Sequence, residues 1–366
     1  MSRILVTGGA GFIGANFTHY AMKNISCERL IVLDALTYAG DRESLQALEP
    51  DSRYSFVHGD IKDKKQVVSL LQEESIDTVV HFAAESHVDR SIHGPDEFIS
   101  TNIVGTNALL AAAREVWLTS KKQTDSHRFH HVSTDEVYGS LSSTDPKFIE
   151  TTPFSPNSPY AASKAASDHL VRAYNKTYGL NTFISNCSNN YGPFQFPEKL
   201  IPLMLVNILQ GKALPIYGDG QNVRDWLHVE DHCRAIDLIL SDGKPGETYN
   251  VGGENEYDNL SLVKTLCAVI DEKFKADTAL AQKFPNASPA NNKESAELIE
   301  FVTDRAGHDR RYAVDPGKLK KELGFELKHS FSTGLAATVD WYLANSEWWQ
   351  HILDGSYRDW IDTQYG

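Results

Sequence analysis

Short runs of apolar residues alternate with longer amphipathic stretches through the first half of the chain. The apolar runs predict six β-strands, over Ile4–Thr7, Leu30–Asp34, Tyr54–Val57, Thr78–Ala83, Phe129–Ser133 and Thr182–Asn186. The amphipathic stretches between them predict helices, among them Lys64–Glu73, Phe98–Trp117 and Tyr160–Tyr178. Apolar strands that alternate with helices indicate an α/β fold, in which helices cover both faces of a doubly wound parallel sheet.

The pattern changes after about residue 190, where prolines and glycines become frequent. We therefore predict two domains. Residues 1–190 form the sheet domain, to which residues 223–253 return, and residues 191–366 form most of a smaller α/β domain. In the second domain we expect the polar stretch Lys275–Lys293 to be a surface insertion. The stretch Thr333–Trp349 has helical spacing, and we expect four of its aromatic side chains to pack in the core: Trp341, Tyr342, Trp348 and Trp349.

The net charge of the chain excludes some classes of binding partner. The 366 residues include 35 basic and 49 acidic side chains, so the formal net charge is −14. We do not expect such a chain to coat nucleic acid or an anionic membrane surface, because both require an excess of Lys and Arg. The hydrophobic and charged fractions, 41% and 23%, are typical of a folded globular chain.

The N-terminus and the cysteines favour the cytoplasm. Only Ile4–Val6 is apolar before a glycine-rich turn, which is too short for a signal peptide. No run reaches the ~18 apolar residues that a membrane span requires. The cysteines form no Cys-x-x-Cys pair, so we predict reduced buried thiols rather than disulfides or a zinc site at Cys27, Cys187, Cys233 and Cys267. No His, Cys and Asp residues have the spacing of a metal site along the chain, so we predict that the protein holds no metal.

The first predicted strand runs directly into the glycine-rich turn, and a helix follows it. Gly8, Gly11 and Gly14 fit the spacing Gly-x-x-Gly-x-x-Gly, a variant of the dinucleotide-binding fingerprint. Such glycines let backbone N–H groups approach a pyrophosphate at the positive end of the helix. Asp34 ends the second predicted strand, where an acid accepts hydrogen bonds from the adenosine ribose. Its carboxylate would repel a 2′-phosphate, so we predict NAD rather than NADP.

Polar residues follow the fifth predicted strand, where ligands bind in open parallel sheets. Thr134, Asp135 and Glu136 emerge there, and Tyr160 and Lys164 lie four residues apart on one face of a predicted helix. An ammonium beside a tyrosine favours the phenolate, so we expect Lys164 to lower the pKa of Tyr160, as a base requires. Two adjacent carboxylates suit separate acid and base roles, because burial and mutual charge can separate their pKa values.

Together these features resemble the extended short-chain dehydrogenase/reductase family, whose members commonly act on nucleotide sugars. The Asp135–Glu136 pair resembles one group within it, the dTDP-glucose 4,6-dehydratases. Further stretches similar to that group cover nearly the whole chain: Ala83–Ser91, Ser133–Gly139, Ser188–Pro193, Phe196–Leu203, Val223–Val229 and Gly307–Tyr312. The resemblance implies a Rossmann fold for the first domain, and an NAD that stays bound because each cycle regenerates it.

The resemblance also implies a reaction and the roles in it. Tyr160, activated by Lys164 and assisted by the Thr134 hydroxyl, would remove the C4 hydroxyl proton while C4 hydride passes to NAD. The C4 ketone acidifies the C5 hydrogen, so Glu136 would take the C5 proton while Asp135 protonates the departing C6 hydroxyl. Return of hydride to C6 and of a proton to C5 would give a 4-keto-6-deoxy sugar.

Binding residues complete the prediction. Besides Tyr160, Lys164, the glycines and Asp34, we predict cofactor contacts from Phe12, Ile13, Asp60, Ile61, Ala83, Thr101 and Asn189. The resemblance implies a nucleotide-sugar pocket formed by Ser86, Thr134, Asn190, Lys199, Leu200, Pro215, Ile216, Tyr217, Arg224, Asn259, His308 and Tyr312. Arginine suits phosphate because its fork binds two oxygens at once, which favours Arg224 for that role.

The sequence alone leaves the binding partners and two alternative functions open. The resemblance implies dTDP-glucose as substrate and a homodimer formed through the helices near Phe98–Trp117 and Tyr160–Tyr178. One alternative is another nucleotide-sugar dehydratase, a 4-epimerase or a decarboxylase of the same family. A second is an inactive NAD-sensing or scaffold protein, which would be expected to lack Tyr160, Lys164 or the two acids. No motif by itself encodes thymine rather than uracil.

Overall fold

The computed structural model describes residues 2–119, 127–304 and 309–355. Its strands are β1 (Ser2–Thr7), β2 (Cys27–Asp34), β3 (Tyr54–His58), β4 (Thr78–His81), β5 (Arg128–Thr134), β6 (Thr182–Cys187), β7 (Asn189–Tyr191), β8 (Leu214–Tyr217), β9 (Val223–His228), β10 (Thr248–Val251), β11 (Glu256–Asp258), β12 (Ile299–Val302) and β13 (Arg311–Tyr312). All six predicted strands are found, although Ala83 lies beyond the end of β4.

The helices follow the predicted pattern. They are α1 (Phe12–Asn24), α2 (Lys64–Glu73), α3 (Val88–His93), α4 (Pro95–Phe98), α5 (Thr106–Arg114), α6 (Pro159–Tyr178), α7 (Leu200–Gln210), α8 (Val229–Asp242), α9 (Asn259–Ala276), α10 (Ala279–Lys283), α11 (Gly317–Leu323), α12 (Phe331–Ala344) and α13 (Ser346–Asp354). Two π-helical segments, Ile99–Gly105 and Glu115–Thr119, flank α5. Within the described ranges, no helix is both long enough and apolar enough to cross a bilayer.

A seven-stranded sheet organises the first half of the chain. Its strand order is β10-β6-β5-β4-β1-β2-β3, and every neighbouring pair is parallel. Side chains alternate between two apolar layers: Ile4 and Val6 pack with α1 and α8, whereas Leu5 packs with α2, α5 and α6. Burial on both faces explains why the strands are apolar throughout. The predicted doubly wound α/β fold is confirmed.

Strand order reverses at β1, whose neighbours are β2 on one side and β4 on the other. Chain connections leave the sheet in opposite directions there, and the resulting crevice is where open α/β sheets bind ligands. Later in the chain, α8 packs against α1 and β10 pairs with β6 at the edge of the same sheet.

Smaller sheets and a second apolar core form from the rest of the chain. Strand β9 pairs with β7, β11 and β13, and β8 pairs with β12. The second core lies among α7, α9, α12 and α13. It contains Tyr342, Trp348 and Trp349, with Trp341 packed against it, as the sequence predicted.

Two predictions for this region need correction. The stretch Thr333–Trp349 is not one helix, because Asn345 adopts a non-helical backbone (φ −105°, ψ 45°) and separates α12 from α13. The stretch Lys275–Lys293 is not only surface. Its Phe284 and Ala287 are buried in the second core, and the Phe284 ring stacks 6.4 Å from that of Trp349. The sequence did not predict these apolar contacts because the stretch is polar in its overall composition.

Part of the predicted loop Leu118–Arg128 lies outside the described residues, namely 120–126. Of the two ends, Leu118 belongs to the π-helical segment after α5 and Arg128 begins β5. The four cysteines are buried free thiols, as predicted.

Candidate active site

A cavity of about 360 Å³ lies at the carboxyl ends of the parallel strands, above the crevice between β1 and β4. It brings together most of the predicted site residues from segments far apart in the chain. Those that line it are Gly8, Gly11, Phe12, Ile13, Gly14, Asp34, Asp60, Ile61, Ala83, Ser86, Thr101, Thr134, Asp135, Glu136, Tyr160, Lys164, Asn189, Asn190 and Lys199.

The glycine turn at one side of the cavity requires glycine at two positions. Gly8 has φ of +72°, and a Cβ there would lie 2.5 Å from the backbone nitrogen of Ala83. A Cβ on Gly14 would lie 2.2 Å from the carbonyl oxygen of Gly8, so a side chain would push α1 away from the turn. Gly11 precedes α1, and no side chain caps the helix there. The first N–H groups of α1 therefore have no side-chain acceptor and can bind a phosphate.

Asp34 joins the end of β2 to this turn. Its Oδ2 accepts the Ala10 N–H at 2.9 Å, and its Oδ1 accepts the Leu36 N–H at 2.8 Å. Burial raises the pKa of Asp34, and the two backbone hydrogen bonds oppose that shift. A carboxylate has about four acceptor positions, so two remain for hydroxyl groups. The turn and Asp34 together have the donors and acceptors that a dinucleotide requires.

Helix α6 holds Tyr160 and Lys164. It begins after Ser158, whose side chain accepts the Ala161 N–H, and Pro159 occupies the first helical position, where no N–H is needed. Tyr160 is buried beside the ring of Phe98, with centroids 6.3 Å apart. Because Ser158 and Pro159 fix where α6 begins, they also fix Tyr160 on the side of the helix that faces the cavity.

The protonation of Tyr160 differs from the prediction. Burial, followed by the charge of Glu136, raises the pKa of Tyr160 well above 10, although a hydrogen bond with Thr134 lowers it. Lys164 was expected to lower this pKa, but its Nζ donates to the Val132 carbonyl at 2.9 Å and its own pKa is lowered by burial to about 8. Burial disfavours the charged forms of both side chains, and this effect outweighs the attraction between the Lys164 ammonium and a Tyr160 phenolate.

Asp135 and Glu136 open a single 3₁₀ turn, Asp135–Tyr138, directly after β5. The Thr134 hydroxyl accepts the Glu136 N–H at 3.3 Å and donates to Asp135 Oδ1 at 3.4 Å. Burial, then the charges of Glu136 and Asp225, raise the pKa of Asp135 well above its usual value. These influences favour the protonated form of Asp135, which is the form that the predicted acid role requires.

Three predicted substrate residues lie at the opposite side of the cavity. Ser86 follows β4, and Lys199 precedes α7 with its Nζ 3.7 Å from Glu198 Oε1. Asn190 of β7 is held in place, because its Nδ2 donates to the Ser188 carbonyl and its Oδ1 bonds His232 at 3.0 Å. The Lys199 ammonium therefore lies at the cavity beside a buried carboxylate.

Other predicted substrate residues form a second group outside the lining of the cavity. Arg224 donates to the carbonyl oxygen of Asp309 at 3.0 Å and lies 4.3 Å from the centre of the Tyr312 ring. Asn259 joins the same group through Asn222, which also donates to the Asp309 carbonyl. The charge of Arg224 lowers the pKa of Asp135, and that of Glu136 raises the pKa of Tyr312, so both lie within electrostatic reach of the acids.

Four more of the predicted substrate residues do not line the cavity. Leu200 begins α7, Pro215 and Tyr217 are half-buried on β8, and Ile216 is buried in the second core. His308 lies outside the described residues. The structure therefore brings the cofactor and catalytic residues together, but it brings only part of the predicted sugar-nucleotide set into the same cavity.

Sequence reasoning missed several residues that line the cavity: Lys62, Glu85, Cys187, Gln195, Phe196 and Glu198. Glu198 is the clearest, because its side chain is buried and neither carboxylate oxygen has a hydrogen-bond partner within the described part of the chain. It lies between His87, 3.6 Å away, and Lys199. Its position between Pro197 and Lys199 in a recognised stretch was a signal that the prediction passed over.

The fold also brings together His and carboxylate side chains of the kind that bind metals. Spacing along the sequence could not show these clusters. His228, Glu230 and His329 have ligand atoms within 4.8 Å of one another, as do Asp41, Glu43 and His351. The His228 and His329 rings are 4.1 Å apart and only 30° from parallel, so their lone pairs do not converge well on one ion. Each cluster includes a residue far along the chain from the other two, and the prediction that the protein holds no metal stays a prediction.

Comparison with known proteins assigns the family. The sequence profile described as GDP-mannose 4,6 dehydratase matches residues 5–338. The chain belongs to this family. It is 55% identical to the dTDP-glucose 4,6-dehydratase of Xanthomonas campestris pv. campestris (strain B100), over 98% of both chains, and 49% identical to that of Salmonella typhimurium, over 99% of both.

A solved dehydratase agrees with the fold. The dTDP-glucose 4,6-dehydratase of Streptomyces venezuelae, solved with NAD bound, superposes with a TM-score of 0.83 at 45% identity, covering 96% of this chain and 99% of its own. The sequence-level resemblance to the nucleotide-sugar dehydratases is confirmed.

Proposed function

We propose that the protein is a dTDP-glucose 4,6-dehydratase, which converts dTDP-glucose to dTDP-4-keto-6-deoxyglucose with a tightly bound NAD. One observation carries this proposal. A single cavity joins the glycine turn and Asp34 to Tyr160, Lys164, Asp135 and Glu136. A simple dehydrogenase needs the cofactor and a hydroxyl base, whereas elimination of water also needs an acid and a second base. This cavity has residues suited to each of these four requirements.

The cofactor's half of the cavity suits NAD. The uncapped N-terminus of α1 would hold the pyrophosphate, and Asp34 would accept the ribose hydroxyls and repel a 2′-phosphate. When bound, NAD supplies the hydride acceptor for C4 and the hydride donor for C6. The structures of related dehydratases solved with NAD support the same choice.

Tyr160 acts at C4. Its hydroxyl is within hydrogen-bond reach of Thr134, and Lys164 follows one turn later on α6. In the protein alone, burial keeps Tyr160 protonated. The positive nicotinamide of oxidised NAD and the Lys164 ammonium would together favour the phenolate. Tyr160 then takes the C4 hydroxyl proton. Because the product keeps its C4 ketone, that proton passes from Tyr160 to solvent, and solvent restores the proton that Asp135 gives to the departing water.

The acids act at C5 and C6. The ketone at C4 acidifies the C5 hydrogen, so Glu136 can remove that proton as a base. Asp135 is kept protonated by burial and by the neighbouring charges, and it can protonate the C6 hydroxyl as it leaves. General acid–base assistance of this kind is worth about 10²–10⁴-fold per group. The raised pKa of Asp135 supports its role as the acid, and Glu136, whose charge contributes to that shift, is left for the role of the base.

The substrate is proposed from the relatives as well as from the geometry. Lys199 at the cavity and Arg224 beside it supply positive charge for a diphosphate, and Ser86 and Asn190 supply polar contacts. Relatives about 50% identical over almost their whole length are dTDP-glucose 4,6-dehydratases. We infer the division of labour predicted from the sequence, in which residues 1–190 and 223–253 hold the cofactor and most of 191–366 holds the nucleotide sugar.

The decisive test is turnover by the purified protein. Incubation with dTDP-glucose is expected to yield the 4-keto-6-deoxy product, identified by mass spectrometry, without added NAD. UDP-glucose and GDP-mannose are the comparison substrates, and GDP-mannose is also the second candidate because it appears in the matching family's description. Turnover of GDP-mannose or UDP-glucose in place of dTDP-glucose would overturn the proposed substrate.

We also propose a cytoplasmic homodimer. Exposed apolar side chains occur on neighbouring helical segments: Ile92 of α3 and, on the π-helical segment, Ile99 and Val104. On α6, exposed Tyr178 has the Arg114 guanidinium 3.8 Å from its ring centre. A mutual interface would bury this surface. Four free thiols and two metabolites of the cytoplasm, NAD and a nucleotide sugar, support that compartment.

A further inference from the structure

The ammonium of Lys164 is buried deeply for a charged group. The residue is only 4% exposed, and its Nζ donates to one carbonyl oxygen, that of Val132, at 2.9 Å. An ammonium has three donors, and a buried charge is costly unless an opposite charge compensates it. Among the described residues, no carboxylate lies within 4.0 Å of Nζ. Compensation must come from a more distant, well-fixed anion.

Asp168 is that anion. It follows Lys164 by one turn of α6, on the same helical face, and is 2% exposed. Its Oδ2 accepts hydrogen bonds from the Ser133 hydroxyl at 2.9 Å and from Asn186 Nδ2 at 3.0 Å. Its Oδ1 lies 3.2 Å from His131 Nε2. Donors from β5 and β6 therefore fix the carboxylate beneath the sheet's carboxyl end and stabilise its charged form.

The other ionisable groups around Lys164 and Tyr160 do not supply this charge. They are His81, His131, Asp135, Glu136 and Cys187. Burial lowers the pKa values of both histidines well below 6.5 and raises that of Cys187 to about 12, so these three are neutral. Burial raises the pKa of Asp135 and so favours its neutral form, and the charge of Glu136 acts on Tyr160. Lys164 is the largest influence that lowers the pKa of Asp168, and His169, the next residue on α6, is a smaller one.

We propose that Asp168 is a positioning residue of the reaction: its carboxylate, anchored by Ser133 and Asn186, is the counter-ion that keeps Lys164 charged beside Tyr160. The directions of the pKa shifts of Lys164 and Asp168 agree with this role. Burial lowers the pKa of Lys164 to about 8, and Asp168 is the largest influence that opposes it. Burial raises the pKa of Asp168 to about 6, so the carboxylate is ionised at neutral pH. The role rests on the proposed function, because it acts through the tyrosine base.

The test follows the ionisation of Tyr160 in the NAD-bound protein. Phenolate formation is measured by ultraviolet difference absorbance across pH, and a Tyr160→Phe variant is subtracted to remove the other 14 of the 15 tyrosines. Asp168→Asn keeps the size of the side chain and removes its charge. Its Tyr160 midpoint is expected to rise by about one pH unit, a tenfold smaller phenolate fraction at a given pH.

A double-mutant comparison shows whether the effect passes through the lysine. In a Lys164→Met background, Asp168→Asn is expected to leave the midpoint unchanged. Asp237→Asn, which neutralises a half-buried aspartate bonded to Tyr20, is the matched control and is expected to leave the Tyr160 midpoint unchanged. An unchanged midpoint in Asp168→Asn, or an equal shift in the Lys164→Met background, would overturn the proposal. Asp168→Ser replaces the asparagine variant if that variant does not fold.

Kinetics separates this role from a structural one and from the proposed function. With dTDP-glucose at neutral pH, Asp168→Asn is expected to lower kcat about tenfold with KM within about twofold, and raising the pH is expected to restore part of the loss. The titration needs no sugar. If dTDP-glucose were not turned over but the midpoint still shifted, the substrate would be wrong and the counter-ion right. If turnover held and the midpoint did not move, only the counter-ion would be wrong.

Discussion

The carboxylate of Asp34 accepts the backbone N–H of Ala10 at 2.9 Å, which ties the end of β2 to the glycine turn after β1. A second bond, from the Leu36 N–H at 2.8 Å, fixes the loop that follows. Asp34 also lines the cavity in which we place NAD. One acid therefore shapes the turn and, in our proposal, selects the cofactor, so its loss is expected to have two separable effects.

We predict that Asp34→Asn weakens NAD binding on the order of tenfold and narrows the preference for NAD over NADP. The amide has one oxygen where the carboxylate has two, so a buried N–H loses its acceptor at a cost of about 1–3 kcal/mol of stability. Cofactor affinity is measured by titration calorimetry on the stripped protein. Asp63→Asn is the control, because Asp63 also accepts two backbone N–H groups but lies outside the cavity lining. A lower melting temperature with unchanged cofactor preference in Asp34→Asn would show a purely structural role.

Glu136→Gln tests the base. Oxidation at C4 is expected to persist, because Tyr160 and Lys164 are intact, whereas exchange of the C5 hydrogen with solvent should fall about 10²–10⁴-fold. Exchange is measured by mass spectrometry of dTDP-glucose recovered from deuterated water.

The neighbouring acid provides the contrast. Asp135→Asn removes the donor for the C6 hydroxyl but leaves the base, so C5 exchange should continue while the 4-keto-6-deoxy product falls. If Glu136→Gln exchanged C5 at the normal rate, and Asp135→Asn did not, the two roles would have to be reversed.

His232 gives a prediction about acid stability. It is fully buried, its Nδ1 bonds Asn190 Oδ1, and burial lowers its pKa from 6.5 to about 3. The folded protein keeps His232 neutral while the unfolded chain takes up a proton below pH 6.5. Its contribution is therefore complete above pH 6.5 and is lost as the pH falls toward 3, at about 1.4 kcal/mol per pH unit.

His232→Asn, which keeps a donor for Asn190, is expected to flatten the fall in unfolding free energy between pH 6.5 and pH 5 by that slope. Urea unfolding at several pH values measures it. Exposed His93→Asn is the control and should leave the slope as it is. The same slope in His232→Asn as in the wild type would show that His232 does not contribute to acid sensitivity.

Val104→Asp tests the proposed dimer. A charge at this 54% exposed position would have to be buried in the interface, so the variant is expected to sediment as a monomer. Phe301→Asp is the matched control, because Phe301 is equally exposed, at 57%, but belongs to β12 in the other half of the chain. Monomers produced by the control alone would place the interface on that half instead.

Much of the fold and the centre of the site could be predicted because their signals are local. Strand and helix periods, the glycine turn, the position of Asp34 after β2 and the four-residue step from Tyr160 to Lys164 depend on neighbours along the chain. The site residues that the second half of the chain contributes were harder to predict. Pro215, Ile216 and Tyr217 were assigned by resemblance, yet β8 lies outside the cavity lining, and Glu198 lines it without having been chosen.

The sequence by itself determined the α/β class, the family resemblance and the chemical identity of the catalytic groups, because residue types and short spacings carry that information. Only the tertiary structure decided their protonation. Burial reverses the shift expected in the pKa of Tyr160 and raises the pKa of Asp135. It also places Asp168 among donors from two strands as a charge for Lys164. Desolvation depends on how distant segments pack around a group, and spacing along the chain does not contain that quantity.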